Sequence, residues 1–350
     1  MAAELKHYII PIFVPHMGCP FQCVFCDQRK ISGAKNTNPL KIIDKHLETL
    51  NTKETKKRVE VAFYGGSFTA VEKKKQIELL ELVKPYIALG KVDSIRISTR
   101  PDFISSDILE YLKRYNVDII ELGVQSLDDR VLDLAGRGHG AGCVYEAARL
   151  IKGAKISLGI QLMPGLPGDT LDSIFTTMKK TIDIKPDFVR IYPAVVIKDT
   201  VLHEQLKMGK YFPLNLSDAV QICAKMYREF IKNHIQVIRM GLQAAELLEK
   251  EYVIKGPYHP AFGELVLSEI AYDLMAEQLS IADYYYKHIE FIVPYRQLSI
   301  YIGQKRVNLR KLKEIVPVEI SIVGSHDLPK NQFQVSMNNR LITCFQKYIG

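Results

Sequence analysis

Three cysteines within eight residues, Cys19, Cys23 and Cys26, are the best equipped part of this sequence for chemistry. At the spacing Cys-x3-Cys-x2-Cys, three thiolates can each hold one iron of a [4Fe–4S] cubane and leave the fourth iron without a protein ligand. An electron-transfer protein would supply a fourth cysteine, and none lies nearby. An open iron is what a cluster needs if a small molecule is to bind the metal. His16 keeps a second chemistry open, because with the three cysteines it could form a Cys3His zinc site. Cys143, Cys223 and Cys344 stand singly in apolar or helical surroundings and read as small buried hydrophobes. Six cysteines so unevenly spread make no disulfide framework.

A scaffold must hold those thiolates, and the chain supplies one by alternating strand-like and helix-like segments. Strands are predicted over residues 7–14, 58–64, 92–98, 117–124, 155–161 and 187–192, several of them apolar almost throughout, as when both faces are buried. Helical patterns intervene near 39–50, 72–89, 105–114, 142–152 and 169–182, the last opened by an acidic turn at Asp169. The expected fold class is α/β, an open, partial (β/α)6 barrel followed by a small C-terminal α+β domain. The boundary is placed at residue 250, giving domains 1–250 and 251–350. In such barrels chemistry sits at the C-terminal ends of the strands.

Glycines and polar residues do gather at those ends. Tyr64-Gly65-Gly66-Ser67-Phe68 follows the second strand, and Ser98-Thr99-Arg100-Pro101-Asp102 the third. Glu121-Leu122-Gly123-Val124-Gln125-Ser126 ends the fourth, with Gly136-Arg137-Gly138-His139 soon after, and Gln161-Leu162-Met163-Pro164-Gly165 ends the fifth. Together with the cysteine motif, these segments resemble the radical S-adenosylmethionine (SAM) superfamily. The resemblance implies a [4Fe–4S] cluster on Cys19, Cys23 and Cys26, with Phe25 against the adenine of SAM. It implies that Gly65, Gly66 and Ser67 form the turn that binds the methionine amino group, where a missing Cβ permits close approach. It further implies that Ser98, Gln125 and Gln161 face the ribose and amino-acid parts, and that Arg137 meets the carboxylate. Reductive cleavage of SAM to a 5′-deoxyadenosyl radical would follow, with an electron donor such as a ferredoxin or flavodoxin.

Thr99-Arg100-Pro101-Asp102 and Arg190-Ile191-Tyr192-Pro193, continuing through Ile197-Lys198-Asp199-Thr200, resemble the Elongator catalytic-subunit branch more than its relatives, over about residues 7–245. The cysteine spacing here is narrower than in that branch, and the chain is too short for its acetyltransferase domain. The Elongator reaction is therefore not simply transferable.

The C-terminal unit is predicted as helix 262–279, strand 288–293, short helix 295–301, a turn at Gly303, helix 307–315 and strands 317–323 and 332–337. Its centre resembles a KH core, in which a GxxG loop between helices clamps a nucleic-acid backbone. Arg306 replaces the second loop glycine, and five of residues 304–313 are Lys or Arg. Gly303, Lys305, Arg306, Arg310 and Lys311 are the candidate RNA contacts. A formal net charge of +8 suits a polyanionic partner. No apolar stretch reaches the length of a membrane span and the N-terminus lacks a signal-peptide layout, so a cytoplasmic protein without a membrane partner is expected. The favoured reading is a radical SAM enzyme acting on RNA, a tRNA base above all. Its rivals are the same chemistry on a small molecule, with the C-terminal unit as a lid, and a non-catalytic, zinc-bearing RNA-binding protein.

Overall fold

Six strands, β1 (His7–Phe13), β2 (Arg58–Tyr64), β3 (Ser94–Thr99), β4 (Val117–Gln125), β5 (Ser157–Leu162) and β6 (Phe188–Ile191), lie side by side in chain order and run parallel. The computed structural model describes residues 7–14, 19–27, 38–51, 57–242, 252–279, 288–337 and 340–349. His16 and the expected boundary at residue 250 lie outside the described residues. Helices Pro39–Asn51, Lys73–Ala88, Ser106–Arg114, Ala141–Gly153 and Leu171–Ile184 fall between successive strands, which makes the partial (β/α) barrel that the sequence predicts. Helix Leu171–Ile184 opens two residues later than the sequence suggests. Thr170 is its N-cap in a capping box with Ser173, while Asp169 accepts from Gly165 N at 2.9 Å and belongs to the preceding turn.

The strands are less uniformly apolar than they read. Val61, Phe63, Ile95, Ile97, Ile120, Leu122, Leu158, Ile160, Val189 and Ile191 are buried at alternate positions and share one face. The other face carries Glu60, Arg96, Glu121 and Arg190, also buried, with half-buried Gln161 beside them, because they satisfy one another. Arg96 reaches Glu60 Oε2 at 2.6 Å and Glu121 Oε1 at 2.7 Å. Arg190 Nε lies 2.8 Å from Glu121 Oε2, and its Nη2 donates to Tyr64 Oη at 3.0 Å. Gln161 Nε2 donates to Glu121 Oε2 at 2.9 Å. Burial opposes the charge on Glu121, but Arg190 and Arg96 outweigh it and hold that carboxyl below the usual range.

The chain divides into two compact units: residues 1–214 with 243–257, and residues 215–242 with 258–350. The first also holds the short antiparallel pair β7 (Val196–Ile197) and the later strand Val253–Lys255, and helices Asp129–Leu134 and Val201–Lys207. In the second, after helix Leu216–Lys232, β8 (Gln236–Met240) comes first; Val253–Lys255 is then β9. Four further strands build its own sheet: β10 (His288–Pro294), β11 (Glu319–Ser325), β12 (Gln332–Met337) and β13 (Arg340–Phe345), ordered β11-β10-β12-β13. Between β10 and β11 run the short helix Leu298–Ile302, the turn at Gly303 and helix Val307–Ile315. Buried Asn308 ties that helix to helix Phe262–Leu279 through Ser268 O at 2.8 Å and Ser268 Oγ at 3.0 Å. No helix among the described residues is long and apolar enough to cross a membrane.

Glu121→Ala would leave two buried guanidinium groups short of their shared carboxylate, a loss of about 3–5 kcal/mol. Urea titration of the metal-free protein should show a much lower midpoint for Glu121→Ala. Glu78→Ala, which removes only the exposed pair with Lys75, should leave it nearly unchanged.

Candidate functional site

The cysteine loop follows β1 and is fixed through its middle. Val24 N donates to Ala135 O at 3.0 Å, and Leu202 N donates to Val24 O at 2.8 Å. The Val24 side chain packs with Val131, Ala135, Leu166, Val196 and Leu202, with Phe25 and Met163 against the same cluster. This apolar patch holds the thiolates at the strand ends without using any of them.

There the loop borders a cavity of about 750 Å³. Its wall brings together Cys19, Cys23 and Cys26 with Phe25, Gly66, Ser67, Gln125 and Arg137, residues drawn from four separate stretches of chain. Gly65, at φ +99°, makes the turn that delivers Gly66 to the wall. Ser67 is buried, with Oγ 2.9 Å from Thr99 Oγ1 and accepting from Arg100 N at 3.1 Å, so its side chain braces this turn against the end of β3. Gln125 ends β4 at φ +71°, beside a register shift, and its buried Oε1 has no partner among the described residues. A Cβ on Gly123 would stand 3.3 Å from Gln125 Nε2 and 3.7 Å from Arg137 Nη2, so a glycine here gives both side chains their room.

Arg137 is buried; its Nη1 is 3.3 Å from Cys23 Sγ, its Nη2 donates to Gly123 O, and its Nε has no partner among the described residues. The carboxylate role expected of this guanidinium would thus fall to Nε, since the other nitrogens secure the cysteine loop and β4. Its neighbour His139 is pushed down to about 4, by burial first and then by Arg137, and is neutral at neutral pH. Of the residues expected beside the cofactor, Ser98 and Gln161 do not line this cavity; Gln161 Nε2 donates to Ser98 Oγ at 3.4 Å and to Glu121 Oε2 at 2.9 Å, which ties it to the charged layer.

Several wall residues escaped the sequence reading. Arg100 is buried, grips Asp102 at 2.9 and 2.8 Å, donates to Arg137 O and lies over the Phe21 ring at 4.5 Å. Burial works against its charge, but Asp102, with Cys19 and Cys23 further off, holds it raised. Phe21 in turn packs where a Cβ on Gly138 would fall, 2.2 Å from its ring, so the loop at 136–140 closes on the cysteine loop only with glycine there. Asp199, Thr200 and Val201 also line the wall. Arg100 and Asp199 both stand in segments quoted above for their resemblance; position at a strand end was the signal available. In the second unit, Lys305, Arg306 and Arg310 are exposed, whereas Lys311 is ion-paired with Glu269 at 2.8 Å.

Comparison with known proteins agrees with this geometry. Residues 13–181 match the radical SAM superfamily and residues 186–272 match the radical SAM C-terminal domain, together about three quarters of the chain. The chain belongs to the radical SAM superfamily. It is 33% identical over 186 residues to the tRNA uridine(34) acetyltransferase of Methanocaldococcus infernus, covering 47% of this chain and 35% of that one. It is 32% identical over 142 residues to human Elongator complex protein 3, covering 40% of this chain and 26% of that one. The chain therefore spans about a third, or less, of the length of these curated relatives. The archaeal Methanocaldococcus infernus Elp3 with an N-terminal deletion has the same fold, with a TM-score of 0.62 at 21% identity, covering 79% of this chain and 64% of that one.

Radical SAM enzymes use a [4Fe–4S] cluster and SAM, and the cavity has the chemistry to take both. Three cysteines border it, and Gln125 and Arg137, each with a buried polar atom that has no partner among the described residues, line the same wall. Anaerobic reconstitution should load about four irons per chain. Ala at Cys19, Cys23 or Cys26 should abolish the brown absorbance, and Ala at Cys143, Cys223 or Cys344 should preserve it.

Proposed function

We propose that this radical SAM enzyme acts on RNA, with a tRNA base as substrate. The observation that carries its chemistry is the meeting of three cysteines with Gly66, Gln125 and Arg137 around one cavity at the strand ends. Cys19, Cys23 and Cys26 would hold the cluster, Gly66 and Ser67 would offer backbone to the methionine amino group, and Phe25 would lie on the adenine. Arg137 Nε and Gln125 Oε1 are the free polar atoms for the carboxylate and the ribose. Bound there, SAM supplies the 5′-deoxyadenosyl radical when an electron arrives from a donor such as a ferredoxin or flavodoxin. The protein's own part is to bind, to orient and to keep water out. Arg100 and Arg137 place two buried guanidinium groups at the wall that carries the three cysteines.

The RNA half of the reading is supported by the tRNA named in the acetyltransferase relative, by the net charge of +8 and by the exposed cations Lys305, Arg306 and Arg310. Acetyl transfer is not carried over to this chain.

Dithionite-reduced protein should cleave SAM to methionine and 5′-deoxyadenosine slowly, and faster when its tRNA substrate is present. Gly66→Val should keep the cluster absorbance and lose cleavage, because the added branch fills space at the wall. Normal cleavage by this variant would move the methionine site elsewhere. Stimulation by a small metabolite, with none by tRNA, would remove the RNA reading.

A further inference from the structure

The second unit holds a cleft of its own, about 640 Å³, between helix Phe262–Leu279 and the turn at Gly303. Tyr295, just after β10, lines it and is 54% exposed. A large aromatic ring so exposed is held in place from behind: His326 stacks on it at 4.2 Å and 25°. Its edge rests on Gly324, where a Cβ would meet Tyr295 Cδ2 at 3.0 Å. The ring is thus a fixed flat surface facing open space.

The other wall carries charge. Lys305 and Arg306 line the same cleft, are both exposed, and make no ion pair among the described residues. They stand in successive left-handed conformations, φ +53° and +60°. Two adjacent non-glycine residues in that region cost free energy, and such conformations concentrate where a ligand is held. Glu264 also lines the cleft and would restrict an anion to the side of Lys305 and Arg306.

A fixed aromatic face beside two unpaired cations suits a ligand with a π-face and a phosphate. Resting on the reading that this enzyme acts on RNA, we infer that the cleft between Tyr295 and the Lys305–Arg306 turn is a single-stranded RNA subsite, with one base stacked on Tyr295 and the adjacent phosphates on Lys305 and Arg306. Base stacking tolerates any sequence, because every base offers a flat face. The cleft would therefore grip an unpaired stretch without choosing its sequence.

Full-length protein is titrated with an oligouridylate and with an abasic strand of equal length, at several salt concentrations. Tyr295→Ala should weaken oligouridylate binding by about 5- to 150-fold, leave the salt slope unchanged, and leave abasic-strand binding untouched. Tyr295→Phe should bind as wild type. Lys305→Gln with Arg306→Gln should weaken both strands and flatten the salt slope by about 1.4, or about 0.7 for each phosphate. Unchanged oligouridylate binding in Tyr295→Ala would overturn the inference, as would equal wild-type affinity for the two strands or no binding of either. SAM cleavage and binding of intact tRNA are measured on the same samples. If tRNA still binds and stimulates cleavage in the cleft variants, the cleft inference falls and the RNA function stands; if tRNA neither binds nor stimulates, the function falls as well.

Discussion

Glu121 is shared by two arginines that reach it from different strands, and the geometry of the first unit depends on that sharing. Arg96 on β3 and Arg190 on β6 both close on this carboxylate, and Arg96 also closes on Glu60 of β2. A one-residue slip of β3 or β6 would turn its arginine to the apolar face and strand a charge among Ile and Val side chains. Two carboxylates against two guanidinium groups balance, so the layer can be buried without net charge. Its benefit is less in stability than in uniqueness, because apolar residues of similar volume could also fill the space. With the register fixed in this way, the residues that follow β2, β3 and β4 are delivered to one place.

What is delivered there is held by a second set of contacts. Val24 is bonded through its backbone to Ala135 and Leu202, and Arg100 joins Phe21, Asp102 and the Arg137 carbonyl. The cysteine loop is thus tied to the ends of β3 and β4 and to helix Val201–Lys207, while its thiolates stay on the cavity wall. Gln125 holds its position in a strained backbone, and both Gln125 and Arg137 carry a buried polar atom without a partner among the described residues.

The sequence made the repeating parts legible. Six strands and the helices between them follow from period and turn residues, and each begins and ends within a few residues of where it reads. The cysteine motif was visible because its meaning lies in local spacing. The charged layer was not, because Glu60, Arg96, Glu121 and Arg190 are far apart in the chain and each alone looks like a surface residue. The contacts that Gln161 makes with Ser98 and Glu121 were hidden for the same reason, since which polar neighbour a strand residue meets depends on the strands beside it. Lys311 read as one more cation in a basic run, yet it is paired with Glu269, which lies far off in the chain. The strand Arg340–Phe345 is short and follows directly on Gln332–Met337, with which it pairs antiparallel, and the sequence reading stopped at the earlier strand.

The central claim is that Cys19, Cys23 and Cys26 hold a cluster whose open iron faces the SAM cavity. Electron paramagnetic resonance of anaerobically reconstituted, dithionite-reduced protein, frozen with and without SAM, tests it most directly. The account predicts the signal of a reduced [4Fe–4S] cluster whose g values shift when SAM is added, because a ligand then reaches the open iron. A colourless, zinc-loaded protein, or a cluster signal that SAM leaves unchanged, would contradict it.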